Sequence, residues 1–201
     1  MWHNYRSQNG TRLLRLLTRS RSKRMTHVRL PARIETARLI LRCYEPSDLA
    51  AFDRGAVRSI NHIGRFMPVV RAELLGDRGV LLADARRSFE AGERFEYGLF
   101  LPDGSFVGNC GGHWVGEGEL NIGYWVIVEH IRKGYASEAV RALTTEGFRA
   151  GVQRFVLNCD PRNTASIGVA RSTGFTYLTT DERVNPEGVP YKEMTWELRP
   201  L

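Results

Sequence analysis

"VEHIRKGYASEAV" (residues 128–140) decides the fold. It closes a run of β-formers, "ELNIGYWVIV" (119–128), passes through a short basic glycine turn, and enters small residues at helical spacing. Strand, turn and helix in immediate succession make a junction of a mixed α/β sheet. A plain connector has no need of Arg132 and Lys133 ahead of Gly134. The N–H groups that open a helix lack intrahelical partners and carry about half a positive charge. The turn is therefore suited to an anion, and Gly134 lets the backbone come close to it.

Downstream, "ASEAVRALTTEGF" (136–148) puts Ala136, Ala139, Val140, Leu143 and Gly147 on one face, small enough for close packing on a sheet. "RFVLNCD" (154–160) reads as a strand, "NTASIGVARSTG" (163–174) as a helix stopped by Gly174, and "FTYLTT" (175–180) as a strand. "NPEG" (185–188) is a turn before a last strand, "YKEMTWEL" (191–198). Upstream, "RLILRCY" (38–44) alternates, with Leu39, Leu41 and Cys43 on one side. "EPSDLAAFDRGA" (45–56) starts a helix, and residues 77–92 have a helical period ended by Gly92, while the rest of 57–92 is less clear. Two β-rich runs around Pro102-Asp103-Gly104 form a hairpin over 95–114. The expected fold class is α/β: a mixed, mostly antiparallel central sheet with flanking helices.

The chain has 201 residues and a formal charge of +7. Seven of its 29 basic residues lie in residues 1–24, which hold no acid, so the rest balances at 22 basic against 22 acidic. The charge thus gives no case for nucleic acid except through that tail. Residues 1–24 are expected to be a basic, disordered extension, with 25–201 a single domain. An organelle transit peptide, sequence upstream of a start at Met25, and a segment docking on an anionic surface are the other readings of "TRLLRLLTRSRSKR". No apolar run approaches the ~20 residues of a membrane helix. Cys43, Cys110 and Cys159 have neither paired nor zinc spacing, which points to free thiols in a reducing, cytoplasmic setting.

"IETARLILRCYEPSD", "VGNCGG", "NIGYWV", "RKGYASEAVRAL" and "DPRNTASIGVARSTGF" occur in the order and spacing of GNAT N-acetyltransferases. Over roughly residues 34–198 the chain resembles the branch containing the ribosomal-protein-alanine N-acetyltransferases (RimJ/RimL-like). The resemblance implies a sheet splayed between its fourth and fifth strands, 119–128 and 154–160. Acetyl-CoA would lie in that gap as acetyl donor, its arm pairing with exposed backbone. Arg132, Lys133, Gly134, Tyr135, Ala136 and Ser137 would hold the pyrophosphate, with Ile131 standing where the family has Arg or Gln. Trp125, Val126 and Ile127 would supply backbone to the thioester, an N–H near Trp125 or Val126 facing its oxygen. Asn163 would cap its helix or bond the pantetheine, and Ser166 would lie near the sulfur, able to protonate or solvate the leaving thiolate.

The resemblance does not supply a base. Relatives often carry Glu two residues before the glycine of "GYW", where this chain has Asn121. Glu119, on the same strand face, is the candidate, working through water, with His113 and Glu96 as rivals. An α-amino acceptor has a pKa of about 8 and needs little help. The amine is expected to attack directly, without an acetyl-enzyme, and to enter over residues 57–92 and 181–190. It is either a protein N-terminus, as in the ribosomal-protein branch, or a small amine such as an antibiotic, polyamine or amino acid. An acyl-CoA-binding module without activity is the other class. The protein is expected to be a monomer or homodimer.

Overall fold

The computed structural model describes residues 28–185 and 188–200. The basic extension and the middle of the "NPEG" turn lie outside them. Eight strands form one sheet in the order β1-β2-β3-β4-β5-β6-β8-β7. In the chain these are β1 (Arg33–Glu35), β2 (Ile40–Arg42), β3 (Arg94–Phe100), β4 (Phe106–Gly116), β5 (Glu119–Val126), β6 (Arg154–Cys159), β7 (Thr176–Val184) and β8 (Pro190–Leu198). All neighbours are antiparallel except β5 and β6, which run parallel through the crossover helix α4 (Tyr135–Arg149).

The alternation of β5 sorts its side chains into two cores. Leu120 and Ile122 face α4 and α5 (Thr164–Ser172), joining Leu41, Tyr97, Leu143, Phe155 and Leu157. Trp125 faces α1 (Leu49–Gly64), α2 (Pro68–Leu74) and α3 (Arg78–Ala91), together with Phe52, Leu74 and Leu82. Small residues set the α4 contact: a Cβ on Gly147 would collide with the ring of Phe155. The β3–β4 turn closes as its sequence demands, Gly104 having φ 85° and Asp103 Oδ1 accepting from Ser105 N–H at 2.9 Å.

The structure departs from or completes the sequence reading at three places. The stretch 57–92 is helical almost throughout, α1 running on to Gly64 and α2 following Pro68. Its apolar stripe is interrupted by Arg58, Asn61 and His62, which hides the period. β1, three residues long, carries too little pattern to be read. Residues 181–184 belong to β7, paired with β8 at the edge of the sheet, so the loop expected over 181–190 shrinks to the tip of this hairpin.

Candidate active site

β5 and β6 pair only from Glu119↔Arg154 to Ile122↔Leu157. Beyond Ile122, β5 continues to Val126 bonded to β4 alone, so one side of its backbone faces a gap. Ile127 N–H donates to Val107 O across β4 at 2.9 Å. By the alternation of an extended strand, the amides of Tyr124 and Val126 point the other way, into the gap. Of the two amides considered for the thioester oxygen, Val126 is therefore the one aimed at the gap, and Trp125 is turned toward β4.

The gap opens into a groove of about 530 Å³. Its walls include Tyr124, Trp125 and Val126 of β5, Asn158 and Cys159 of β6, and Ser166 of α5. Its far end is the start of α4: Arg132, Gly134, Tyr135, Ala136 and Ser137. Gly134 caps α4 with φ 82°, and the first intrahelical bond is Glu138 N–H to Gly134 O, so the preceding amides are free for a ligand. Arg132 is the one non-glycine among the described residues with positive φ, at 61°. Such a conformation costs about 1–2 kcal/mol and lifts the chain into the turn. Arg38 braces the turn from outside: it donates to Lys133 O at 2.9 Å, pairs with Glu138 at 2.6 Å, and lies over the Tyr135 ring at 4.8 Å.

At α5, Asn163 Oδ1 accepts from Ser166 N–H at 3.1 Å, the N-cap bond its position predicts. Ser166 is buried, its Oγ 2.8 Å from Tyr124 Oη.

The structure thus brings Trp125, Val126, Arg132, Gly134, Tyr135, Ala136, Ser137, Asn163 and Ser166 to one groove. It does not bring Glu119, Lys133 or Ile127 there. Ile127 packs in the second core and lines the neighbouring surface beside Arg54 and Arg58. Lys133 turns toward His130 Nδ1, 3.4 Å away. Glu119 sits where β5 begins, held by Arg154 at 3.2 Å, four residues before the gap opens at Gly123.

On the α1–α3 side of the sheet a small cavity of about 50 Å³ meets the groove at Met67, Gly123, Tyr124 and Trp125. Register explains its chemistry. Glu96, Gly111 and Gly123 lie side by side on β3, β4 and β5. A Cβ on Gly111 would lie 2.5 Å from Glu96 Oε2, so the missing side chain is what lets the carboxylate lie across β4 toward β5. Adjacent strands are about 4.8 Å apart, which leaves Glu96 about one strand spacing from the Gly123 backbone. Glu96 itself is only half-buried, but its carboxyl lies at the enclosed end of the side chain. Desolvation there pushes its pKa up, with Arg94 and Asn109 pulling less strongly the other way. His113, one row along, is pulled down to about 4, chiefly by burial with Arg94 adding to it, and is neutral near pH 7. The sequence holds the signal for Glu96 only in "GNCGG" (108–112), whose glycines mean nothing until the register is known.

A family model described as an acetyltransferase (GNAT) domain matches residues 38–176. No curated protein matches the chain. Among solved structures, RimL, a ribosomal L7/L12 alpha-N-protein acetyltransferase in complex with coenzyme A, superposes with TM-score 0.73 at 20% identity, covering 83% of this chain and 97% of its own. RimJ of Mycobacterium smegmatis, in complex with CoA-disulfide, gives 0.72 at 22%, covering 85% and 84%. The microcin C7 self-immunity acetyltransferase MccE, in complex with acetyl-CoA and AMP, gives 0.74 at 17%, covering 82% and 94%. At these identities the likeness is one of fold.

Proposed function

Since the chain belongs to the GNAT acetyltransferase family, we propose that it is an N-acetyltransferase moving the acetyl group of acetyl-CoA to a primary amine by direct attack. The observation that carries this is the meeting of two spaces at Gly123–Trp125: the groove headed by the α4 amides, and the small cavity that holds Glu96. Donor and acceptor can reach one point of β5 through two adjoining spaces, so no acetyl-enzyme is required.

When bound, acetyl-CoA supplies an activated acetyl thioester. The α4 amides from Tyr135 to Ser137, with Arg132, hold the pyrophosphate, and Asn163 offers its Nδ2 to the pantetheine arm. Val126 N–H stabilises charge developing on the acetyl oxygen. Glu96 replaces Glu119 as general base: it takes one proton from the acceptor ammonium and later releases it to water. The amine forms its C–N bond as the C–S bond breaks. The sulfur leaves toward Ser166 and ends as the thiol, taking up the second proton lost by the nitrogen.

A cavity of about 50 Å³ admits a primary ammonium with the start of its stem, whether a chain end or a polyamine. The ribosomal-protein acetyltransferases among the similar structures favour a chain end. We take a protein N-terminus as the acceptor. The test is release of CoA thiol from acetyl-CoA with peptides of varied first residue, set against polyamines and aminoglycosides. Turnover with peptides supports the assignment. Turnover with small amines alone would reassign the acceptor, and acetyl-CoA binding with no turnover at all would leave a binding module.

A further inference from the structure

We propose that Tyr124 is a positioning residue for the leaving-group step, its O–H donating to Ser166 Oγ so that the serine hydrogen is free to face the sulfur. The proposal rests on the reading above, in which Ser166 lies beside the thioester.

The geometry is specific. Tyr124 leaves β5 just past the last β5–β6 pair, Ile122↔Leu157, and reaches across the gap to the first turn of α5. Its Oη lies 2.8 Å from Ser166 Oγ and 3.4 Å from Ser166 O. The main-chain end of Ser166 is fixed as well, because its N–H is held by Asn163. A hydroxyl has one hydrogen to give. If Ser166 donated to Tyr124, it would have none for a thiolate. With Tyr124 as donor, the serine accepts one bond and delivers its own toward the groove. Burial pushes the Tyr124 pKa up, which keeps the phenol protonated, and so a donor, across the working range. The second polar neighbour of Ser166 is the Cys159 thiol, which is also raised by desolvation and stays neutral. No proton leaves Tyr124. It orients, and Ser166 makes the contact.

The experiment compares Tyr124→Phe, Ser166→Ala and the double variant, measuring kcat, the KM for acetyl-CoA, and acetyl-CoA affinity by calorimetry. Tyr124→Phe keeps the ring and its packing. It is expected to lower kcat about tenfold, the worth of one hydrogen bond to a charge-bearing group, with KM and affinity within twofold of the parent. The double variant should match Ser166→Ala, because the tyrosine acts only through the serine. A kcat for Tyr124→Phe equal to the parent's would overturn the proposal while leaving the acetyltransferase reading intact. So would a loss confined to affinity, which would make Tyr124 part of the groove wall, or a double variant slower than Ser166→Ala by the full single-variant factor. A parent that binds acetyl-CoA but never turns over, or does not bind it, would end both.

Discussion

Replacing Arg132 separates the two things that residue does. Its backbone sits at φ 61°, a conformation that costs a side chain about 1–2 kcal/mol and glycine almost nothing. Glycine brings its own cost, about 0.5–1 kcal/mol of extra chain entropy in the unfolded state. The net for Arg132→Gly is a change between about zero and 1.5 kcal/mol in favour of the folded protein. At this size that is a rise of up to about 6 °C in melting temperature. Arg132→Ala keeps the left-handed cost and should be the less stable of the two. The side chain is exposed, so its removal leaves no hole in the core. For the ligand the two variants are alike. Each loses one charge-assisted contact to phosphate, about 1.5–3 kcal/mol, which weakens coenzyme A binding by roughly 10- to 150-fold at low salt. The deficit should shrink as salt screens the parent's exposed cation. Calorimetric titration with coenzyme A at two ionic strengths, beside thermal melts, reads both effects. Parental affinity in Arg132→Gly would refute the placement of the pyrophosphate, and lower stability in the glycine variant than in the alanine one would refute the strain.

Three further outcomes follow from the geometry. Glu96→Gln should cost about 10²- to 10⁴-fold in kcat/KM and remove an acidic limb lying above the ordinary carboxylate value of about 4.3, read from the pH–rate profile. Because the folded-state pKa of Glu96 is raised, the ionised carboxylate costs stability that is absent below the unfolded pKa and grows as pH rises through the folded one. Glu96→Gln should therefore be more stable than the parent at pH 8 in urea melts. Gly147→Ala gains about 1 kcal/mol of helix propensity but adds a Cβ against Phe155, an overpacking of about 1–3 kcal/mol, so the same melts should show net destabilisation. Asn163→Ala removes the α5 cap and should lower the melting temperature by about 2–4 °C, the equivalent of about 1 kcal/mol.

The glycine turn before α4 could be read from the sequence because its determinants are local. Gly134 adopts the left-handed geometry its position asks for, and the small face of α4 announces the close contact with Phe155. The β3–β4 hairpin was legible for the same reason, Asp103 and Gly104 making bonds within their own turn. What was hidden depends on register between distant strands. Glu119 and Glu96 are equally polar strand residues in the sequence. Only the pairing Glu96↔Gly111 and Gly111↔Gly123 lays one carboxylate toward the gap, while Arg154 holds the other at the far end of β5. Lys133 and Ile127 belong to the motifs of the site yet turn away from it, because one offers its carbonyl to Arg38 and the other fills the core under α1. Nothing in "NIGYWV" (121–126) marks Tyr124 for this role, since its partner Ser166 is 42 residues away.

The central claim is that the gap between β5 and β6 holds the acetylated arm while the start of α4 holds the diphosphate. A crystal structure of the protein with acetyl-CoA tests it most directly. The claim predicts the acetyl oxygen within hydrogen-bond distance of Val126 N–H and the pyrophosphate oxygens on the amides of Tyr135 to Ser137. A diphosphate bound elsewhere, or an acetyl group far from β5, would contradict it.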